Sequence, residues 1–284
     1  MYTRPSAVAG SWYAGTSSSL KRQIEQECFL HDLGPKEIPK INPEGERKIQ
    51  ALLCPHAGYM YSGPIAAHAY RALAKDGEPP VIVIVGPNHT GVGSGVSIMV
   101  EGIWKTPLGE VSIDSDLAKA IQKNSSYIDI DNYAHESEHS IELQLPFIQY
   151  VIGSGFKFVP ICMSLQELDV ALDVGQAVAK ALTDVNAVII ASSDMTHYES
   201  QTSAERKDQM AIDAMKKLDA EELYQIVSNL NISMCGVGPA IAAITASKIR
   251  KAEIGVLLKY ATSGDITGDR RVVVGYSSMA FLKP

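Results

Sequence analysis

Histidines recur shortly after apolar segments of this chain, and histidine can bind a metal ion or move a proton near neutral pH. The sequence holds only seven histidines, and three of them occupy such positions: His56, His89 and His197. This recurrence favours one shared site over three unrelated, hydrogen-bonded loop histidines. We therefore expect the three side chains to lie close together.

The apolar segments before these histidines are typical of strands in a parallel sheet. Residues 81–85 read VIVIV, a β-branched run bounded by prolines, which predicts a strand buried on both faces. Residues 48–54 and 187–191 are also mainly apolar. Because functional groups in such sheets lie beyond the carboxyl ends of the strands, the histidines are expected at one edge of the sheet.

Predicted strands and helices alternate through most of the sequence, which indicates one α/β domain spanning residues 1–284. Its central, mostly parallel sheet should be flanked by helices, with an antiparallel edge at the closing strands 253–261 and 271–282. Helices are predicted over 63–74, with a proline near the first position, and over 138–151.

Composition and charge exclude several classes of function. The net charge is −7 and no basic run occurs, so we expect no nucleic-acid partner. No apolar stretch approaches the roughly 18 residues of a membrane span, and the N-terminal residues do not resemble a signal peptide. We therefore expect a cytoplasmic protein without a membrane partner. The sequence does not indicate the oligomeric state.

A metal site is the first chemistry that these residues suggest. Neutral imidazoles such as those of His56 and His89 bind zinc, iron or copper, and Cys235 is the best candidate for a third ligand. It precedes an expected helix start at Gly238-Pro239, where the helix dipole would favour a thiolate. Two histidines and one cysteine would leave coordination positions open, as catalytic sites do. The alternative is a buried, inert thiol. The four cysteines form no CxxC pair, which argues against a zinc knuckle or dithiol motif.

Asp194 and His197 suggest proton transfer. A carboxylate near a histidine can orient it as a general base. The alternative is that Asp194 caps the following helix, since aspartate is a strong N-cap residue.

The segment 135–142, HESEHSIE, allows three interpretations. His135 and His139 are four residues apart, as are Glu138 and Glu142, so a helix would bring each pair together. The segment could be a second metal site or a solvated helix start. We favour a polar wall of the same cleft, which contributes hydrogen bonds rather than ligands. No GxSxG, GxGxxG or Walker motif supports a serine nucleophile or a nucleotide loop.

Long motifs from end to end of the chain resemble those of the Memo family: RPSAVAGSWYAG, PHAGYMYSGPIAAHAY, GPNHTG, ESEHSIELQLPF, SSDMTHY, MCGVGPAIA and GYSSMAF. The resemblance implies a fold similar to class III extradiol dioxygenases, the ring-opening enzymes with non-haem iron. It implies metal ligands at His56, His89 and Cys235 and a base-like histidine at His197. It also matches Trp12 to a pocket residue, and we expect Tyr59, Asn88 and His139 to line the same pocket.

The resemblance leaves more than one function open. Extradiol dioxygenases bind iron(II) through two histidines and a carboxylate, and the cysteine here favours softer ions, copper included, over classical ring cleavage. The first hypothesis is a metal-dependent oxidoreductase with iron(II) or copper. The second is a binding or adaptor module that holds a small metabolite or a peptide, since eukaryotic relatives are described as binding phosphotyrosine peptides, with Trp12 at a position implicated in this. A third is hydrolysis with zinc.

Overall fold

The apolar segments before the three histidines are neighbouring parallel strands of one sheet. The computed structural model describes residues 2–284. The central strands are β2 (Ile49–Cys54), β3 (Val81–Pro87), β8 (Lys157–Met163) and β9 (Ala187–Ser192). Strand β3 pairs in parallel with β9 on one side and with β8 on the other, and β9 pairs in parallel with β2. Their carboxyl ends therefore meet at one edge of the sheet, as the sequence predicted.

The other strands extend this centre into a mixed sheet. They are β1 (Thr3–Arg4), β4 (Val96–Ile98), β5 (Ile103–Thr106), β6 (Gly109–Ile113), β7 (Ile128–Ile130), β10 (His197–Glu199), β11 (Ile254–Thr262) and β12 (Val273–Leu282). Strands β1, β5 and β6 continue the sheet beyond β8, and β4 also pairs with β8. On the opposite side, β12 runs antiparallel to β2 and to β11, which confirms the predicted antiparallel edge.

Helices cover both faces of the sheet, which gives the predicted single-domain α/β fold. They are α1 (Ser17–Arg22, continued by a π-helical segment, Gln23–Phe29), α2 (Tyr59–Asp76), α3 (Ser115–Asn124), α4 (Leu145–Ile152), α5 (Leu168–Ala181), α6 (Gln201–Lys216), α7 (Ala220–Asn229), α8 (Val237–Ile249) and α9 (Ser263–Thr267). Helices α5 and α8 pack closely because Gly175 lacks a side chain: a Cβ there would lie 2.6 Å from Ala242 O. No helix among residues 2–284 is long and apolar enough to cross a bilayer.

Two helix boundaries differ from the prediction, and both lie next to the predicted site. Helix α2 begins at Tyr59 rather than at residue 63, so Pro64 lies inside it. Pro64 is the sixth residue of α2, so its missing N–H removes the hydrogen bond that would reach the carbonyl of Met60. The predicted helix over 138–151 forms only from Leu145, after a 3-10 turn at Glu142–Gln144. The preceding backbone does not become helical because the Glu138 side chain accepts its N–H groups.

A buried ion pair holds the segment that precedes α4. Arg4 Nη1 lies 2.6 Å from Glu142 Oε2, and both side chains are almost inaccessible to solvent. Arg4 also donates from Nε to His135 O and from Nη2 to Glu138 O, each at 2.6 Å. Its guanidinium lies 4.0 Å from the ring centroid of Trp104. These contacts compensate the removal of two charges from water, and they exclude the solvated interpretation of this segment.

We expect Arg4→Met to lower the free energy of unfolding by about 3–5 kcal/mol, because it leaves the Glu142 carboxylate buried without its partner. Urea denaturation measures this effect. The matched control is Arg271→Met, which removes an exposed ion pair with Asp269 and should leave the midpoint unchanged. Equal midpoints for Arg4→Met and wild type would contradict the assigned role of the pair.

Candidate metal-binding site

A cavity of about 530 Å³ opens at the carboxyl edge of β2, β3 and β9. Six of its lining residues can bind metals or protons: His56, His89, His139, His197, Asp194 and Cys235. The others are mainly aromatic and apolar: Trp12, Ala57, Tyr198, Val274 and Tyr276, together with Ser233. The structure thus brings together the three histidines that the strand ends predicted.

Three imidazoles of this wall could hold a metal ion. One ring nitrogen from each of His56, His89 and His139 lies within 4.8 Å of the other two. Two ligand nitrogens about 2.1 Å from a shared tetrahedral ion are about 3.4 Å apart, so the three side chains would have to draw closer together to complete the site. The prediction gave His139 a hydrogen-bonding role, whereas its position groups it with the two predicted ligands.

The hydrogen bonds of His56 determine which ring nitrogen carries the proton. Its Nδ1 lies 2.8 Å from Ser192 Oγ. The Ser192 hydroxyl already donates to Ser140 O, at 2.7 Å, so it can only accept from the imidazole. The proton of His56 therefore lies on Nδ1, and Nε2 keeps the lone pair that a metal ion would bind.

His89 has the same arrangement with a different partner. Its Nδ1 lies 3.0 Å from Glu138 Oε1, and a carboxylate only accepts, so the lone pair again lies on Nε2. Glu138 also accepts the backbone N–H groups of His139 and Ser140, each at 2.8 Å. Burial alone would raise the pKa of Glu138, but the hydrogen bond from His89 and the nearby His139 hold it below its ordinary value. A carboxylate that orients a metal-binding histidine is a common support of metal sites.

Two histidines of the group, His56 and His139, are neutral near pH 7, as metal ligands must be. Burial lowers the pKa of His56 well below its ordinary value, and the neighbouring His139 and His89 lower it further. Burial also lowers the pKa of His139 to about 4. Both rings can therefore offer a lone pair without first losing a proton.

Cys235 lies beside this group rather than within it. Its Sγ is 3.2 Å from His56 Nε2 and also accepts the backbone N–H of Asp194, at 3.2 Å. Helix α8 begins two residues later, close to the predicted start. Nevertheless, burial raises the pKa of the thiol, and Asp194 raises it further, so without a bound cation the neutral thiol is favoured, contrary to the expectation from the helix dipole. Its role as a ligand stays a prediction.

His197 and Asp194 both line the cavity but have separate partners. His197 Nδ1 lies 2.7 Å from Met195 O and 2.9 Å from Ser233 O. Because carbonyls only accept, the proton lies on Nδ1 and Nε2 is free to accept a proton. Asp194 Oδ1 instead accepts the backbone N–H of His56, at 2.8 Å, and burial raises its pKa to about 6. Asp194 does not cap the next helix, which begins at Gln201.

The other predicted pocket residues divide into two groups. Trp12 packs on His139 with ring centroids 4.2 Å apart, inside the cavity wall. Tyr59 is buried in the core, where its hydroxyl donates to a backbone carbonyl. Asn88 accepts backbone N–H groups of the turn that follows His89. Tyr59 and Asn88 therefore hold the backbone near the candidate ligands His56 and His89, and neither lines the cavity.

His135 is separated from His139, so the two do not form a second metal site. It is fully buried and packs against Trp104 at 5.9 Å between ring centroids. The sequence indicated a hydrogen-bonding role for the segment of Glu138, but it did not indicate the supporting residue Ser192 or the wall residues Tyr198 and Tyr276. All four lie within motifs that carry the family resemblance, but their partners are distant in sequence.

The fold and the cavity together define an α/β protein with a candidate metal centre of histidines at the carboxyl edge of parallel strands. The family profile described as Memo-like protein matches residues 4–280. The chain belongs to this family, and the resemblance drawn from its motifs is confirmed.

Relatives in archaea match over nearly the whole chain. A MEMO1 family protein of Methanopyrus kandleri is 48% identical over 280 residues, which cover 98% of each chain. Another, of Methanothermobacter thermautotrophicus, is 50% identical and covers 99% of this chain and 100% of its own. The crystal structure of an uncharacterized protein from Escherichia coli K12 has a similar fold, with a TM-score of 0.56 at 12% identity, and covers 82% of this chain and 100% of its own.

We expect Glu138→Gln to weaken metal binding by about 10- to 100-fold, because the amide no longer attracts the proton of His89 Nδ1. A competitive titration of Zn²⁺ against a chromophoric chelator measures the affinity. Glu136→Gln is the matched control, since Glu136 lies in the same segment but bonds Tyr2 at the surface. An unchanged affinity in Glu138→Gln would show that the carboxylate does not orient a ligand.

Proposed function

We propose that this protein binds iron or copper in the cavity and acts as a metal-dependent oxidoreductase of the oxygenase type. The supporting observation is the fixed proton position on the imidazoles: His56 and His89 each use Nδ1 as a donor, to a hydroxyl and to a carboxylate. The Nε2 lone pair of His89 is left for a cation, whereas that of His56 faces Cys235 Sγ at 3.2 Å, so a cation bound there would replace the thiol proton. His139 would be the third nitrogen ligand, and Cys235, in contact with His56, the sulfur ligand.

The donor set fits a transition metal better than magnesium or calcium. Imidazole nitrogen binds iron, copper and zinc, whereas the two lighter ions prefer oxygen ligands. A neighbouring thiol shifts the preference further toward softer ions, copper included. When bound, iron or copper would supply one-electron redox chemistry and Lewis acidity at the cavity wall.

The remaining wall residues fit the handling of an organic substrate. Two carbonyls hold Nδ1 of His197, so Nε2 is the nitrogen that would accept a proton from a hydroxyl group bound nearby. Trp12 covers His139 and restricts access of water to that ring. The cavity of about 530 Å³ is far larger than a metal ion and lies within the range of small-molecule sites.

A second candidate function is a binding module that uses the same cavity without turnover. The half-exposed indole of Trp12 favours this possibility, because it offers an aromatic surface at the cavity mouth. Such a module would hold a small metabolite or a peptide, and its affinity would depend on Trp12 and His197 rather than on a metal ion.

Metal content after anaerobic purification tests the first proposal. We expect near-stoichiometric iron or copper in wild type by elemental analysis, and a loss of most of it in His56→Ala, His89→Ala and His139→Ala, because each removes one nitrogen ligand. Cys235→Ser should shift the preference from copper toward iron or zinc if the thiol is a ligand. The control is His68→Ala, since His68 bonds Leu33 O away from the cavity.

Other results would favour the alternatives. A wild-type protein that contains no iron or copper and cannot be loaded with either would favour the binding module. A protein that retains zinc alone would contradict the redox proposal and favour metal-assisted hydrolysis. Metal loss in His68→Ala equal to that in His56→Ala would show a general folding defect instead of a lost ligand.

A further inference from the structure

A second cavity, of about 500 Å³, adjoins the metal-binding cavity, and we call it the side groove. The two share five wall residues: Trp12, Ala57, Tyr198, Val274 and Tyr276. Beyond them the side groove is lined chiefly by Met60, Tyr61, Val272 and Val273, with Ser263 and Thr267. None of its lining residues among 2–284 is charged, whereas the metal-binding cavity carries imidazoles, a carboxyl group and a thiol.

The side groove exposes unusually many large apolar side chains. Met60 is 52% exposed, Val272 is 58% exposed and Tyr198 is 78% exposed. Large apolar side chains gathered around one concave surface commonly mark a binding site. Their grouping next to the histidines suggests one ligand that spans both spaces.

Tyr198 stands at the junction of the two cavities in a strained backbone conformation. Its φ is 59°, in the left-handed region that a bulky residue rarely adopts. Strand β10 has an irregular register with β12 at this point. Strain of this kind persists where the surroundings impose it, often at ligand sites. Here it allows His197 to face the metal-binding cavity while the next side chain reaches the side groove.

We propose that the side groove binds an uncharged aromatic arm of a small ligand whose polar head occupies the metal-binding cavity. The aromatic side chains of Trp12, Tyr61 and Tyr276 favour a ring in the arm, and the neutral lining offers no ion-pair partner to a charged one. A peptide strand fits less well, because β10 is three residues long and irregular and offers no continuous backbone ladder. The placement of the polar head in the metal-binding cavity rests on the proposed function, whereas the binding of the arm in the side groove is independent of it.

Three probes on the iron-loaded protein test this proposal by calorimetry: acetohydroxamic acid (head alone), 4-phenylbenzohydroxamic acid (head and biaryl arm) and biphenyl-4-methanol (arm alone). We expect the extended hydroxamate to bind at least about tenfold more tightly than the head alone, because its arm leaves water. The double variant Met60→Ser/Val272→Ser should reduce this gain about fivefold or more and leave the affinity for acetohydroxamic acid unchanged.

The matched control is Met210→Ser/Ile254→Ser, which removes two similarly exposed apolar side chains outside the groove and should keep the full gain. Equal wild-type affinities for the two hydroxamates, or a gain in affinity that survives in Met60→Ser/Val272→Ser, would overturn the proposal.

If the protein binds no metal and acetohydroxamic acid does not bind, only the proposed function is contradicted. Biphenyl-4-methanol then tests the groove by itself. If it binds to the wild type and not to Met60→Ser/Val272→Ser, the groove is supported. If it does not bind to the wild type, the proposal is overturned. A dimer in light scattering that the same variant dissociates would assign the groove to a second copy and overturn the proposal.

Discussion

The candidate site depends on the buried contact between Arg4 and Glu142. Two charges removed from water are stable only when the guanidinium and the carboxylate use nearly all of their hydrogen-bonding capacity. Arg4 meets this condition by donating to the backbone of His135 and Glu138, and Glu142 by accepting from Tyr13 and from the N-terminal backbone. The pair thereby ties the first strand of the chain to the segment that carries Glu138 and the candidate ligand His139. Once this segment is fixed, the Glu138 carboxylate meets His89.

The imidazoles around the cavity follow one rule although different elements carry them. Every Nδ1 with a hydrogen-bond partner there faces an acceptor: a serine hydroxyl for His56, a carboxylate for His89 and two carbonyls for His197. Fixing the proton on Nδ1 leaves the lone pair on Nε2 in each case. Rotation of the buried His56 ring would break its hydrogen bond and leave an unsatisfied polar group in the interior, which is costly. The cavity is therefore preorganised to offer electron pairs, as a cation site requires.

The sequence predicted the centre of the sheet because its strands are encoded locally. A β-branched run such as 81–85 has few alternatives to a buried strand, and parallel pairing then brings His56 and His89 to one edge. The contacts of the supporting residues could not be predicted in this way. The sequence favours a polar wall for the segment of Glu138, but the burial of this residue results from contacts with residues far away in the chain, among them Arg4. Likewise, the raised pKa of Cys235 results from tertiary burial, which the position of α8 does not reveal.

Trp12 connects the two halves of the site physically. One face of its indole lies against His139, and the side chain also lines the side groove. Its backbone is held as well, because the carbonyl of Trp12 accepts the N–H of Tyr59 at the start of α2. A ligand that entered the side groove would therefore contact the side chain that packs on a candidate metal ligand. Apolar recognition and the geometry of the imidazoles are coupled through this single ring, so a movement of the indole would change both cavities together.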